Sequence, residues 1–111
     1  MADPEPRRGE TWLARLDKIR PVIVLSRDPM GRLLNSVIVA PVTSTVRGLS
    51  TEVAVGAADG VRLQSVANLD NVQLVPRARL VRRIGLARAS TMEAACAALA
   101  VAVSCEAASP Q

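Results

Sequence analysis

Runs of β-branched apolar residues, separated by short polar turns, fill the first three quarters of the chain. The densest runs, 21–26 and 36–42, are apolar at both parities, which predicts strands covered on both faces. Shorter runs predict further strands at 11–16, 51–55, 65–69, 72–75 and 82–86. Strands that come first and a helix that comes last predict a mainly β (α+β) fold, a small curled barrel of five to seven short, mostly antiparallel strands.

The last quarter of the chain has the periodicity of an amphipathic helix. Its larger apolar residues repeat at helical spacing: Met92, Cys96, Leu99 and Val103. This stripe predicts a helix from Thr91 to about Val103, with the stripe in the core or in the core plus a dimer contact. Ser90 is followed by Glu93 three residues later, as in a capping box, so we expect Ser90 to be the N-cap.

The length of 111 residues suffices for one domain. We expect that domain over 9–105, with a flexible arm over 1–8 and a frayed tail over 106–111. The net charge is +4, and thirteen of the fourteen basic residues are arginine. Arginine binds phosphate through two parallel hydrogen bonds, so a polyanionic partner is one interpretation of this charge. Genomic composition explains it equally well.

Several kinds of chemistry are not expected from this sequence. Histidine is absent, there is no glycine-rich phosphate loop, and the acidic residues are scattered, so we expect neither a metal nor another cofactor. Cys96 and Cys105 would lie on opposite faces of a helix, so a disulfide between them would be strained or impossible, which suggests a reducing compartment. No apolar run approaches the ~20 residues of a membrane span. We therefore expect a cytoplasmic protein.

Metal-free cleavage of RNA stays possible, because the substrate's own 2′-hydroxyl can attack the adjacent phosphate. Arg20 is the candidate for binding that phosphate, since Pro21 stiffens its backbone at the head of a buried strand. Thr43, at the end of the next dense strand, is the candidate hydroxyl, and Ser44 and Thr45 are weaker ones.

The same residues allow purely structural roles. Arg20 can form an ion pair with Asp17, and Thr43 can close the turn that follows it. A second basic run either lines an RNA groove or is solvated around a turn: Arg77, Arg79, Arg82, Arg83 and Arg88.

Seven strings occur in order over residues 7–103: RRGETWLARL, RPVIVLSRD, VIVAPVTST, LSTEVAV, SVANLDNVQLV, RARLVRRIGLA and STMEAACAALAVAV. Together they resemble the MazF/PemK-like endoribonuclease toxins of type II toxin–antitoxin systems. The resemblance implies an SH3-like barrel of the CcdB/MazF type and a homodimer. It also implies metal-independent, sequence-selective cleavage of single-stranded RNA that arrests growth, neutralisation by a MazE-like antitoxin, and contact with operator DNA only as the toxin–antitoxin complex.

Residue by residue, the resemblance assigns catalysis to Arg20 and Thr43. It assigns contacts with RNA to Glu10 and to the acidic–amide pair Asp70 and Asn71; Ser44 joins them as a substrate-binding candidate from its place beside Thr43. The loop 17–19 is shorter than is usual in the family, and Asn71 stands where Gln is commoner, so both departures predict altered base recognition. The competing hypothesis is a non-catalytic barrel, a toxin or adaptor that acts by binding a protein or nucleic acid.

Overall fold

The computed structural model describes residues 5–28 and 35–105. The strands are β1 (Glu10–Arg15), β2 (Ile19–Val24), β3 (Ser36–Thr43), β4 (Glu52–Val55), β5 (Ser65–Asn68), β6 (Gln73–Pro76) and β7 (Leu80–Leu86), and the helix is α1 (Ala89–Ala102). Short 3-10 turns occur at Ala57–Asp59, Leu69–Asn71 and Arg77–Arg79. Each strand bound lies within about two residues of the one predicted from the pattern of apolar residues. The loop expected at 27–34 falls mostly outside the described residues.

The seven strands form one antiparallel sheet in the order β4-β5-β3-β2-β1-β7, and β6 also pairs with β3. β3 is long enough to pair with β6 over Ser36–Val39 and with β5 at Val42 and Thr43, while its other edge pairs with β2. The order starts at β4 and ends at β7, so the curled sheet is not fully closed. The predicted α+β class, with strands first and one helix last, is confirmed.

Apolar residues are buried on both faces of β2 and β3, as predicted. One core cluster lies between the sheet and α1 and includes Ile23 of β2 and Val42 of β3. The other lies inside the curl of β1, β2, β3, β6 and β7 and includes Val22 and Val24. Each of these side chains is at most 2% exposed. Burying each contributes about 1.5–3 kcal/mol, so the strand ends that carry Arg20 and Thr43 are anchored in a rigid core.

The face of α1 that meets the sheet is made of small residues. Its buried residues are Thr91, Ala95 and Ala98. The prediction that the stripe forms the centre of the contact between helix and sheet was wrong. Met92 and Leu99 are only half-buried and pack at the edge of the core. Cys96 and Val103 are exposed. In an alanine-rich helix the larger side chains do not decide which face is buried, since the small residues allow a closer approach to the sheet.

The helix starts earlier than predicted, and Ser90 is not its N-cap. The N-cap is Arg88, which makes no side-chain capping bond of its own. The buried carboxylate of Asp59 supplies the acceptor instead: it accepts from the Arg88 backbone N–H at 2.9 Å and from Thr91 Oγ1 at 2.8 Å. A side chain remote in sequence therefore accepts from the N–H of the N-cap residue, which is the role that the expected capping box gave to Glu93.

Asp59 joins the turn Ala57–Asp59 to the start of α1. Besides its two bonds to the helix start, its carboxylate accepts from the Gly56 N–H at 3.2 Å and is paired with Arg88 Nη2 at 3.2 Å. Burial alone would raise the pKa of this fully buried group, but the hydrogen bonds from Arg88, Thr91 and Gly56 outweigh it and lower the pKa to about 2. The charged form of Asp59 therefore stabilises the fold.

The remaining predictions concern the ends of the chain and its cysteines. Within the predicted N-terminal arm, Pro6 is buried and the Arg8 backbone N–H donates to Asp28 Oδ1 at 2.9 Å. The domain limits 9–105, with the arm and the tail, stay a prediction. Cys96 and Cys105 are both free thiols. Within residues 5–28 and 35–105, no helix has the length and apolar character to cross a membrane.

Candidate active site

Arg20 and Thr43 lie side by side at the ends of neighbouring strands. The antiparallel register of β2 and β3 pairs Val22 with Pro41, and continuing it by two residues sets Arg20 opposite Thr43. Facing residues of an antiparallel pair are near enough for their side chains to meet. The two candidate catalytic residues, which are 23 positions apart in the sequence, are therefore brought together by strand pairing.

Two hollows meet at this pair of side chains. The larger has a volume of about 770 Å³ and the smaller about 340 Å³, and Arg20, Val42 and Thr43 line both. The larger hollow also contains Ser44 and a set of cations: Lys18, Arg62, Arg82 and Arg83. The smaller also contains Asp17, Arg47 and three carboxamides: Asn68, Asn71 and Gln73. One hollow is suited to phosphates, and the other offers both donors and acceptors of hydrogen bonds.

The guanidinium of Arg20 is held by Asp17. Arg20 Nε donates to Asp17 Oδ1 at 2.8 Å, and Nη2 donates to Oδ2 at 2.9 Å. The hydrogen bonds between the two side chains hold the pKa of Asp17 well below its usual range. They also raise the pKa of Arg20. Both groups are charged in the resting site. The Nη1 donors of Arg20 have no hydrogen-bond partner among the described residues.

Thr43 closes the turn that follows it, because its Oγ1 accepts from the Thr45 N–H at 3.1 Å. The sequence offered an ion pair for Arg20 and a turn bond for Thr43 as structural alternatives to catalysis, and both contacts occur. Neither contact removes the side chain from the hollows. The hydroxyl of Thr43 remains free to donate its own hydrogen, and the neighbouring Ser44 is exposed.

The other predicted substrate-binding residues differ in how close they come to this pair. Asn71 lines the smaller hollow. Asp70 is exposed and accepts from Thr51 Oγ1 at 2.5 Å, outside the lining of both hollows. Glu10 also lies outside both linings, but its carboxylate pairs with Arg83 Nε at 2.9 Å. Glu10 therefore contributes to the larger hollow indirectly, by its ion pair with Arg83.

The second basic run does not act as one surface. Arg82 and Arg83 line the larger hollow, whereas Arg79 donates to the Arg15 carbonyl at 3.3 Å and Arg88 pairs with Asp59. Sequence reasoning missed the hollow-lining roles of several residues that are far apart along the chain: Lys18, Arg47, Arg62, Asn68 and Gln73. In the sequence, only their residue types suggest that these side chains could bind a ligand. The local sequence does not indicate which turns of a curled sheet face each other.

No group of three or more acidic, cysteine or histidine side chains within the described ranges could hold a metal ion. A separate hollow of about 480 Å³ lies between α1 and β4. It contains neither Arg20 nor Thr43, and its lining is mostly alanine, valine and serine, so it offers no comparable chemistry.

Residues 7–103 match the family of PemK-like, MazF-like toxins of type II toxin–antitoxin systems. The chain belongs to this family. Among the relatives of this MazF-like chain, the probable endoribonuclease MazF5 of Mycobacterium tuberculosis is 45% identical over 103 residues, which cover 90% of this chain and 94% of the relative. Endoribonuclease MazF3 of the same organism is 49% identical over 78 residues, covering 70% and 76% of the two chains.

Solved structures of MazF-like proteins have the same fold. The Mycobacterium tuberculosis toxin MazF-mt6 superposes with a TM-score of 0.84 at 42% identity, over 88% of this chain and 99% of that one. An endoribonuclease in complex with its cognate antitoxin, from a mycobacterial species, also gives a TM-score of 0.84, at 27% identity over 92% and 98% of the two chains. The family and the fold type inferred from the seven strings are confirmed.

Proposed function

We propose that this MazF-like chain is the toxin of a type II toxin–antitoxin system and a metal-independent, sequence-selective endoribonuclease acting on single-stranded RNA. The observation that carries the proposal is the meeting of Arg20 and Thr43 where the two hollows join. Family membership supports it, as do the endoribonuclease names of the relatives.

The reaction uses the substrate's own ribose as nucleophile. The 2′-oxygen bonds to phosphorus as its proton is lost, the bond to the 5′-oxygen breaks, and that oxygen takes up a proton. The products are a cyclic phosphate and a 5′-hydroxyl end. Negative charge grows on the phosphate oxygens in the transition state, so a fixed cation and a fixed hydroxyl accelerate the step.

Arg20 serves as the electrostatic clamp for this charge. Its pKa is raised by the hydrogen bond with Asp17, so it stays protonated and is unsuited to be the base. Asp17 occupies Nε and one Nη2 hydrogen, which leaves Nη1 and the other Nη2 hydrogen to bind two phosphate oxygens. Thr43 Oγ1 donates to the phosphate while it still accepts from the Thr45 N–H.

The partners follow from the same proposal. The chain acts as a homodimer in the cytoplasm, cuts messenger, transfer or ribosomal RNA, and is neutralised by a MazE-like antitoxin. A complex of a relative with its cognate antitoxin supports the last point. The short loop 17–19 and Asn71 in the smaller hollow support a cleavage sequence that differs from those of relatives with a longer loop and a glutamine.

The test is cleavage of total RNA by purified protein, with new 5′-hydroxyl ends mapped by sequencing. We expect Arg20→Ala and Thr43→Ala each to lower the cleavage rate by about 10²–10³-fold. EDTA leaves the rate unchanged, and replacing the attacked 2′-hydroxyl with hydrogen stops the reaction.

The matched control is Arg79→Ala, because Arg79 is an exposed arginine outside both hollows. It should keep the wild-type rate. Full activity of Arg20→Ala would refute the site assignment. If the wild-type protein produces no new 5′-hydroxyl ends, the endoribonuclease proposal fails and the non-catalytic barrel is favoured.

A further inference from the structure

The loop 44–50, which follows Thr43, forms part of the rim of both hollows. Ser44 and Thr45 line the larger hollow, and Arg47 lines the smaller one. Every residue of the loop is exposed, including Val46 at 62% and Leu49 at 48%. Core packing therefore does not fix its position, and the loop must be held by polar contacts.

One carboxylate holds the middle of this loop. Glu52 Oε1 accepts from the backbone N–H groups of Arg47 at 3.1 Å, Gly48 at 2.8 Å and Leu49 at 3.1 Å. The Glu52 backbone N–H also donates to the Leu49 carbonyl at 3.0 Å. Successive N–H groups that converge on one anion form a nest, and here the anion belongs to the first residue of β4.

Gly48 makes this convergence possible. Its φ of +75° lies in the left-handed region, and a Cβ placed there would have no atom within 4 Å. Space therefore does not require glycine at this position; only the backbone conformation does. The loop is shaped so that three amides point at Glu52, which itself lies on a strand of the sheet.

Arg47 is the one charged residue of this loop. Its guanidinium has no hydrogen-bond partner among the described residues, yet it lines the same hollow as Arg20 and Thr43. The negative charge of Asp17 in this hollow is balanced by its ion pair with Arg20. A free guanidinium beside the clamp for the cleaved phosphate is suited to bind the next phosphate along the strand.

We propose that Glu52 is a positioning residue for RNA binding: it holds loop 44–50 so that Arg47 binds a backbone phosphate beside the one that is cleaved. The proposal rests on the proposed function, because it takes the hollows as the RNA site. Removing a negative charge near a polyanion should tighten binding by electrostatics alone, whereas loss of this anchor should weaken it.

The experiment measures binding of a fluorescein-labelled, mixed-sequence single-stranded RNA with 2′-O-methyl riboses, which keeps every phosphate but cannot be cleaved. We expect Glu52→Ala and Arg47→Ala each to weaken binding about threefold to tenfold and to make the negative slope of log affinity against log salt less steep by about 0.7. The double variant should bind no more weakly than Arg47→Ala alone, because Glu52 acts through Arg47.

The charge-matched control is Glu93→Ala, on the exposed surface of α1, which should bind RNA as tightly as the wild type or slightly more tightly. Thermal unfolding of Glu52→Ala should match that of Glu93→Ala, while the amides of residues 47–49 should exchange faster with solvent. Gly48→Ala should weaken RNA binding more than Gly48→Asn, since asparagine tolerates the left-handed conformation.

The proposal is overturned if Glu52→Ala binds as tightly as Glu93→Ala, if the effects of Glu52→Ala and Arg47→Ala add, or if the wild-type protein does not bind this RNA. A wild-type protein that binds it with the expected variant effects, but cleaves no RNA, would contradict only the endoribonuclease proposal. Normal cleavage with unaffected binding in Glu52→Ala would contradict only the positioning role.

Discussion

The substitution Asp59→Asn should destabilise the fold by about 2 kcal/mol at neutral pH. The carboxyl is fully buried, and its pKa falls from 3.8 to about 2 on folding. Each pKa unit corresponds to about 1.4 kcal/mol, so the charged form contributes about 2 kcal/mol of stability. The asparagine side chain would keep the shape of the aspartate but would present an amide donor to the surrounding donors on Arg88, Thr91 and Gly56.

The sign of the pH dependence makes this prediction specific. Because the pKa of Asp59 is lower in the folded state, its stabilisation is complete above about pH 5 and is lost as the pH falls through 3.8 towards 2. Urea unfolding at a fixed protein concentration should therefore give a wild-type minus Asp59→Asn difference of about 2 kcal/mol at pH 7 that shrinks steadily below pH 4.

The control for this measurement is Glu93→Gln, which removes an exposed carboxylate from α1, the helix whose start Asp59 contacts, and should change stability by less than about 0.5 kcal/mol. A difference for Asp59→Asn that is equally small at pH 7, or one that does not vary with pH, would refute the role assigned to the buried charge.

Other consequences follow from the same contacts. Ser90→Ala should leave the urea midpoint nearly unchanged, whereas Thr91→Val should lower stability by about 1 kcal/mol or more, because Thr91 bonds to Asp59 and Ser90 does not cap the helix; equal effects would contradict this capping scheme. Gly85→Ala should lower stability by about 1–3 kcal/mol, since its Cβ would lie 2.6 Å from Gly60 Cα; unchanged thermal unfolding would disprove that close approach. RNA affinity should fall steeply with salt, with a slope of log affinity against log salt of about −4 if Arg20, Arg47 and the four cations of the larger hollow each bind a phosphate; a flat salt dependence in anisotropy titrations would be inconsistent with a phosphate groove.

The strands, and the places of Arg20 and Thr43 at strand ends, could be predicted because their signals are local, whereas the catalytic roles of these two residues came from the family resemblance and stay a prediction. A run of β-branched residues defines a strand wherever it lies, and Arg20 and Thr43 sit at the ends of two such runs that are adjacent in the sheet. The start of α1 could not be predicted in the same way. Its acceptor, Asp59, lies about 30 residues earlier in a turn, and only the folded chain brings the two together.

The residues that line the hollows show the same limit. Arg62, Arg82 and Lys18 share one hollow although they come from three separate parts of the chain. Arg88, which belongs to the same basic run as Arg82, is committed to Asp59. Residue type and spacing therefore did not separate an arginine that faces a ligand from one that supports the fold.

The contrast between the rigid strand that ends at Thr43 and the exposed loop that follows it affects how such a protein can evolve. The threonine closes a strand fixed by the core, whereas the segment after it is exposed throughout and anchored by one carboxylate. Substitutions in that segment should be nearly neutral for folding, so duplicated copies of the gene could diverge quickly in the RNA sequences they cut while the scissile chemistry stays the same.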